Sequence, residues 1–231
     1  MKNNKINVLD HGFVRLVDHM GSDVSVVRAA RVSYDAAWRA GDDTQGDAKL
    51  INYLWKNYHT TPFEAVTFTF EVKAPIFVFR QWHRHRTQSI NELSARYKEL
   101  PEEFYIPNPE LIGKQSKSSK QARDVNNTDK NNLSLRKCET ELLRNQNELA
   151  FELYRDLLES GWPRELARTV LPVSTYSHMF VTMNLLNLLK FLTLRTHEHA
   201  QYEIRVYADA MLELIKPVVP VCVQAWQNNR K

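Results

Sequence analysis

The spacing of apolar residues divides the chain into predicted strands and helices. From Val66 to Val72 apolar and polar residues alternate, which predicts a strand with one buried face. A strand also suits residues 177–184, and a short strand with a turn suits residues 6–17. Helical spacing predicts helices over 24–33, 47–58, 139–160, 185–196 and 200–216. Few strands and several long helices predict an α+β fold.

Prolines mark several of the predicted boundaries. Pro75 suits the first turn of a helix that continues through residues 76–82, because proline lacks an N–H and the first turn needs none. The GWP tripeptide at 161–163 ends the long helix and opens a short one. Pro217 ends the last predicted helix.

Residues 107–138 interrupt this pattern with a stretch that is rich in Lys, Asn and Ser. So little apolar surface cannot form a packed core, and we interpret the stretch as a surface excursion or partly mobile loop. Its charges are interpreted as a solvated face rather than as a binding site.

Composition and charge place the chain in the ordinary globular class. Its 231 residues, 43% of them hydrophobic, suffice for a sizeable core. The formal net charge of +4 is too small to indicate a nucleic-acid partner by itself. No apolar run reaches the roughly 18 residues of a membrane span, so we expect no membrane association.

The chain has two cysteines, Cys138 and Cys222, which follow no paired or metal-binding spacing. We therefore expect free thiols in a reducing cytoplasm.

The clearest candidate for a functional site is RHRTQSINELSARY, residues 84–97. Its three arginines accompany a single carboxylate, that of Glu92. The preceding residues 76–79 are apolar, so the chain should carry the guanidinium groups from a buried helix into a cleft. Guanidinium groups bind phosphate through paired charge-assisted hydrogen bonds, and the hydroxyls of Ser89 and Ser94 can complete such a site. The alternative is a solvated basic loop that pairs with surface carboxylates.

This segment resembles the signature of the flavin-dependent thymidylate synthases. It matches their RHRxxS motif from Arg84 to Ser89 and their NExSxRY pattern from Asn91 to Tyr97. Further similar stretches are RAARVSYD (28–35), HTTPFE (59–64), KAPIFVFRQW (73–82), PRELAR (163–168) and LRTHEHAQYEIR (194–205). The resemblance therefore covers most of the chain outside 107–138.

The resemblance implies the fold and the activity of that family. The fold would be a single catalytic domain over residues 1–231, with a small antiparallel sheet and several long helices. The activity would be conversion of dUMP to dTMP, with 5,10-methylenetetrahydrofolate as carbon donor, FAD as hydride carrier and NADPH as reductant. The resemblance also implies a homotetramer whose active sites are shared between subunits.

The resemblance assigns roles to individual residues. The positions expected to bind dUMP are Gln81, Arg84, Glu92, Ser94, Arg96, Arg168 and Arg195. The positions expected to bind FAD are Ser33, His59, Arg84, His85, Arg86, Glu92, Asn184 and Lys190. Arg195 is the expected catalytic residue, because a cation beside the pyrimidine O2 and N3 stabilises negative charge that develops there.

Two positions on the flavin side depart from the family pattern. Where some members have Asn-x-Arg after the strand, this chain has Asn184-Leu185-Leu186, so position 186 can contact a ligand only through its backbone or by packing. Lys190 stands where some members have Asn or His, and it is a candidate cation for the flavin pyrophosphate.

The sequence was also considered for a metal site, for a serine nucleophile and for functions other than thymidylate synthesis. The HRH and HEH triplets at 83–85 and 197–199 place histidines two residues apart, which point apart on a helix, so we expect no metal site. Ser94 is interpreted as a nucleotide contact rather than a nucleophile, because the sequence shows no base positioned to activate it. The competing functions are a basic nucleic-acid-binding protein that uses the Arg84–Arg96 patch, and a flavin reductase or oxidase without methyl transfer.

Overall fold

A five-stranded antiparallel sheet lies at the centre of the computed structural model, which describes residues 4–117, 120–121, 123–124 and 132–230. Its strands are β1 (Lys5–Val8), β2 (Gly12–Met20), β3 (Thr67–Pro75), β4 (Ser89–Glu92) and β7 (Tyr176–Asn184), in the spatial order β1-β2-β3-β7-β4. A separate ribbon pairs β5 (Lys114–Gln115) with β6 (Arg123–Asp124).

Eight α-helices accompany the sheet in the described part of the chain. They are α1 (Asp23–Arg31), α2 (Thr44–Lys56), α3 (Ile76–Trp82), α4 (Leu133–Glu159), α5 (Arg164–Ala167), α6 (Leu185–Arg195), α7 (Tyr202–Ile215) and α8 (Pro220–Asn228). Short 3-10 turns lie at Val32–Tyr34, Ala37–Arg39, Thr61–Ala65, Pro109–Leu111 and Arg168–Val170. This architecture confirms the predicted α+β single domain with a small antiparallel sheet.

One face of the sheet is apolar and carries the main core. Phe68, Phe70 and Val72 of β3 are fully buried on it, as their alternation in the sequence predicts. Their neighbours across β7 include Met183, opposite Phe68, and Val181, opposite Phe70. Buried side chains of α6, α7 and α8 belong to the same apolar cluster. Each such side chain contributes roughly 1.5–3 kcal/mol when it leaves water.

The opposite face of the same strands is polar. The hydroxyl oxygens of Thr69 and Thr182 lie 2.9 Å apart. Glu71 forms an ion pair with Arg15 and a hydrogen bond with His178, whose Nε2 is 2.7 Å from Glu71 Oε1. Glu71 is only 8% exposed, so these partners offset the cost of burying its charge.

Two strands run directly into helices, and this connection sets the place of the candidate site. β3 ends at Pro75 and α3 begins at Ile76, whereas β7 ends at Asn184, whose side chain caps α6 by accepting the N–H of Asn187 at 3.0 Å. Because β3 and β7 are antiparallel, α3 and α6 start at opposite ends of the sheet. The two helices therefore run toward each other, and their C-terminal ends meet.

The strands differ from the sequence prediction in two places. Residues 6–17 were predicted as one short strand and a turn, whereas the structure has the hairpin β1–β2, and β2 extends to Met20 because it pairs along β3. β4 was not predicted. It has four residues and no regular burial alternation, and it forms because it pairs with β7.

The predicted helices are confirmed apart from their boundaries and one omission. α4 begins at Leu133 rather than at Glu139, so residues 133–138 of the polar stretch are helical. Within the polar stretch 107–138, residues 118–119, 122 and 125–131 lie outside the described residues. α8 was not predicted, because a nine-residue segment gives little helical periodicity. Within the described ranges, no helix combines the length and apolarity that crossing a membrane requires.

One carboxylate joins the first helix to the last. Asp23 begins α1, and its two side-chain oxygens accept the N–H groups of Val221 at 3.0 Å and Cys222 at 2.9 Å in the first turn of α8. The N–H groups at a helix start have no partner within the helix, and they favour a negative charge. Burial raises the pKa of the Cys222 thiol, and the Asp23 charge adds to this effect, so the thiol stays protonated.

We predict that Asp23→Ala lowers the free energy of unfolding by about 1–2 kcal/mol, because two helix N–H groups lose their acceptor. Denaturant unfolding followed by circular dichroism measures the change. Asp42→Ala is the control, because Asp42 is exposed and its side chain makes none of the described hydrogen bonds. Equal unfolding midpoints for the two variants would contradict the anchoring role of Asp23.

Candidate active site

The basic segment begins with a tight turn, residues 83–88, which we call the basic turn; it connects α3 to β4. Trp82, at the end of α3, is fully buried. Its indole N–H donates to Gln88 Oε1 at 3.2 Å, and the Gln88 amide donates back to the Trp82 backbone oxygen at 3.3 Å. These two hydrogen bonds close the turn. Arg84 and Arg86 are exposed on it.

Arg195 meets His85 where the C-terminal ends of α3 and α6 converge. Arg195 Nε donates to His85 Nε2 at 2.9 Å, and Arg195 Nη2 donates to the backbone oxygen of Gln81 at 3.3 Å. The His85 ring packs edge-on against Phe191, with centroids 4.8 Å apart.

The protonation of this pair follows from its surroundings. Burial, with a smaller contribution from the Arg195 charge, lowers the pKa of His85 to about 4. Burial also lowers the pKa of Arg195, but an arginine side chain keeps its charge in proteins. At neutral pH an uncharged imidazole therefore accepts a hydrogen bond from a charged guanidinium.

Glu92, the last residue of β4, is held from two sides. Ser177 Oγ donates to Glu92 Oε1 at 2.7 Å, and His83 Nε2 lies 3.7 Å from Glu92 Oε2. His83 Nε2 is buried and has no hydrogen-bond partner among the described atoms. Buried polar atoms are normally paired, so this nitrogen, beside an oriented carboxylate, marks a place where a ligand can complete the hydrogen bonding.

Two arginines predicted to bind the nucleotide converge on Glu165. Arg96 Nε is 3.6 Å from Glu165 Oε2, and Arg168 Nε donates to the Glu165 backbone oxygen at 3.4 Å. The side chains of Arg96 and Glu165 are 56% and 55% exposed, so their attraction is weak and an anionic ligand can replace the carboxylate. Ser94 precedes them in a turn in which its hydroxyl accepts the backbone N–H of Arg96 at 3.3 Å.

The residues predicted to bind FAD are not all brought together. Ser33 is exposed in the 3-10 turn after α1, and His59 is exposed after α2, where its ring meets Tyr53 edge-on at 5.9 Å. No described hydrogen bond, ion pair or ring contact joins either residue to the basic turn. The side-chain oxygen of Asn184 already accepts two N–H groups of Asn187, at 3.0 and 2.7 Å, so its amide nitrogen is the group a ligand can reach.

A cavity of about 600 Å³ lies between α2, α6 and α8. Leu186 and Lys190 both line it, so the two positions that depart from the family pattern share one cavity. Lys56 and Arg230 add positive charge to its wall, and the Arg230 guanidinium lies 5.2 Å from the ring centroid of Trp226. Cations beside aromatic rings suit a ligand that is both anionic and aromatic.

Neither metal ligands nor a reactive cysteine mark this region in the part of the chain that the structure describes. No group of three or more His, Cys, Asp or Glu side chains there could hold a metal ion. Cys138 is an exposed free thiol on α4, and Cys222 is buried at the start of α8.

The structure also brings to this region several residues that were not among the predicted site residues. Gln201 accepts a hydrogen bond from the Gln81 side chain, and Glu203 in turn accepts one from Gln201. Both lie in the stretch 194–205, so its resemblance to the family was an available signal. Gln88 stands at a variable position of the RHRxxS motif, and Ser177 is one polar residue in a strand, so neither gave a signal.

Comparison with known proteins agrees with this arrangement. The family model described as "Thymidylate synthase complementing protein" matches residues 15–221. The flavin-dependent thymidylate synthase of Ehrlichia ruminantium (strain Gardel) is 48% identical over 221 residues, which are 95% of this chain and 71% of that protein. The enzyme of the same name from Thermus thermophilus is 48% identical over 224 residues, 97% of this chain and 78% of that protein.

A solved structure shows the same fold. The UMP/dUMP methylase PolB from Streptomyces cacaoi, bound with 5-Br dUMP, superposes with a TM-score of 0.84 at 38% sequence identity. The match covers 97% of this chain and 98% of that one. These relatives give no support to the alternative of a nucleic-acid-binding protein. On the extent of the family match and on these identities, the chain belongs to the flavin-dependent thymidylate synthases.

Proposed function

We propose that this protein converts dUMP to dTMP by reductive methylation, with 5,10-methylenetetrahydrofolate as carbon donor, FAD as hydride carrier and NADPH as reductant. The observation that carries the proposal is the contact of Arg195 with a neutral His85 beside the basic turn. The names of the similar proteins also support the proposal, because the relatives are named flavin-dependent thymidylate synthases and PolB is named a UMP/dUMP methylase. Two free thiols fit a reducing compartment, and we place the protein in the cytoplasm.

Arg195 is the proposed catalytic residue. Its Nε and Nη2 are held by His85 and by the Gln81 backbone, so the guanidinium is oriented before a substrate arrives. A fixed cation beside the uracil carbonyl oxygens stabilises negative charge in the ring without reorganising during the reaction. The neutral His85 is suited to this task, since a protonated imidazole would repel the guanidinium.

The remaining proposed nucleotide contacts are the polar residues near Glu165 and in the basic segment. Arg96 and Arg168, which meet at Glu165, are the proposed phosphate ligands, together with the Ser94 hydroxyl. The proposed contacts to the rest of the nucleotide are Gln81, Arg84 and Glu92.

FAD, when bound, supplies the hydride, and two features of the chain suit its chemistry. The basic turn offers Arg84, His85 and Arg86 together with His83, whose Nε2 has no hydrogen-bond partner among the described atoms, and Glu92 lies beside it. The cavity between α2, α6 and α8 offers Lys190 together with further cations and an indole ring, which suit a pyrophosphate and an adenine. Ser33, His59 and the amide nitrogen of Asn184 are the further proposed contacts.

A homotetramer with shared active sites is also proposed, and a stripe on α4 supports self-association. Leu135, Leu142, Leu149 and Leu153 are 54%, 64%, 56% and 47% exposed. Spacings of seven and four residues place them along one side of the helix, as in helices that pack against a second helix. Sharing between subunits would also account for the separation of Ser33 and His59 from the basic turn.

We expect purified protein supplied with FAD, NADPH, 5,10-methylenetetrahydrofolate and dUMP to form dTMP and to release tritium from position 5 of labelled dUMP. Arg195→Gln should lower the rate roughly 10²–10³-fold, the effect of losing one preorganised donor. Arg144→Gln is the matched control, because Arg144 is exposed on α4. The visible absorbance of bound flavin checks that each variant keeps its cofactor.

Two outcomes of the same experiment would contradict the proposal. A colourless protein that takes up no FAD but shifts DNA would favour the nucleic-acid-binding alternative. Flavin reduction by NADPH without tritium release or dTMP would favour a reductase or oxidase.

We predict that His85 titrates at a pH of about 4 in the folded protein, as measured by nitrogen chemical shifts of labelled histidine. Because this pKa lies below the usual value of about 6.5, the unfolded chain binds the proton first. The stability that neutral His85 contributes is therefore complete above about pH 6.5 and is lost as the pH falls toward 4. Arg195→Gln should raise the titration midpoint, because it removes the positive charge and leaves the burial. A midpoint near the usual value in the wild-type protein would show that the ring is solvated.

We predict that light scattering after gel filtration gives a mass of a tetramer of the 27.1 kDa chain. The double variant Leu142→Glu, Leu149→Glu should form smaller species, because charges replace apolar contacts on α4. The control is Glu141→Gln, Glu152→Gln, two changes at exposed positions of the same helix. A monomeric wild-type protein would rule out the tetramer, and a leucine variant that stays tetrameric would rule out this face as an interface.

A further inference from the structure

A row of polar side chains runs behind the pair formed by Gln81 and Arg195. Gln81 Nε2 donates to Gln201 Oε1, and Gln201 Nε2 donates to Glu203 Oε2 at 2.9 Å. Arg195 donates to the backbone oxygen of the same Gln81. The four residues belong to α3, to the end of α6 and to the start of α7, so only the fold brings them together.

Glu203 is the fixed end of this row. It is only 2% exposed, and its Oε1 accepts the Tyr105 hydroxyl at 3.0 Å and Arg123 Nη2 at 2.9 Å. Burial, and next the Glu203 charge, raise the pKa of Tyr105, so its hydroxyl stays protonated and donates. A buried carboxylate is costly unless it is paired and hydrogen-bonded, and Glu203 has both kinds of partner.

The direction of each amide in the row follows from the charge of Glu203. An ionised carboxylate only accepts hydrogen bonds, so Gln201 must turn its NH₂ group toward Glu203. The Gln201 carbonyl oxygen then faces Gln81, and Gln81 must turn its own NH₂ group toward it. The Gln81 side-chain oxygen then remains as a free acceptor, because no described residue donates to it. Amide orientations are assigned from such networks, and this network admits one assignment.

We propose that Gln201 and Glu203 are positioning residues that select the base of the substrate, an inference that rests on the proposed function. They hold the Gln81 side-chain oxygen as an acceptor, and Arg195, which donates to the backbone oxygen of the same residue, supplies donors to the same ligand. This pair matches uracil, which presents a carbonyl oxygen next to an N3–H donor. Cytosine has an unprotonated acceptor at N3, so two acceptors would face each other, and a site with an unpaired polar group rejects its ligand.

The test is the ratio of the dissociation constants of dCMP and dUMP, measured by calorimetry on the flavin-loaded protein. Gln201→Ala should lower the preference for dUMP by at least about tenfold, because the Gln81 amide becomes free to rotate. Glu203→Gln should act in the same direction, because an amide at position 203 lets Gln201 turn either way. The matched control is Tyr105→Phe, which removes one donor to Glu203 but keeps the carboxylate, and it should keep the preference. A purely structural role would weaken both nucleotides alike and leave the ratio unchanged.

The outcomes separate this inference from the proposed function. A wild-type ratio in Gln201→Ala and Glu203→Gln, with dTMP formation by the wild-type protein intact, would overturn the selection by these residues alone. If Glu203→Gln does not fold, Gln201→Ala decides, because position 201 is exposed. A wild-type protein that binds neither nucleotide and forms no dTMP would overturn the proposed function and this inference with it.

Discussion

The burial of Trp82 is the constraint on which the candidate site depends. Its indole ring packs on Phe191 with centroids 4.7 Å apart, deep in the core, and its N–H must find an acceptor there. Gln88 supplies that acceptor and also donates to the backbone oxygens of Trp82 and His85, so the basic turn is held in a compact shape. Because the turn is fixed in this shape, the Arg84 side chain stays in solvent while the His85 ring packs against Phe191 of the core.

The polar part of the site is a small network that runs from the half-buried Arg195 to the buried Glu203. Arg195 stands at one end with a positive charge, and Glu203 stands at the other with a negative charge. The buried Glu203 charge would be costly alone, and both charges have hydrogen-bond partners that are themselves held by the fold. Groups fixed in this way do not have to be reorganised when a substrate binds, which is the physical basis of preorganised catalysis.

The antiparallel sheet explains why distant parts of the chain meet at this site. β3 and β7 pair along nine residues and continue into α3 and α6 without a loop, so both helices return across the same apolar face from opposite ends. β4 then joins the other edge of β7 and places Glu92 beside Ser177. The site is thus built from elements whose positions are set by strand pairing. Arg123, from the polar stretch that precedes α4, reaches the site's network through a hydrogen bond to Glu203.

The sequence by itself determined the elements that rest on local physics. Alternation over 66–72 and helical spacing elsewhere predicted most strands and helices, because these patterns reflect which face is buried. The motif within residues 84–97 identified the family and its chemistry. Only the tertiary structure decided the rest. β4 has no pattern of its own and exists through its partner strand, while Arg195 and Gln201 join the site through contacts that span more than a hundred residues of chain. The direction in which an amide points depends on a buried carboxylate elsewhere in the fold, and no local pattern of residues carries that information.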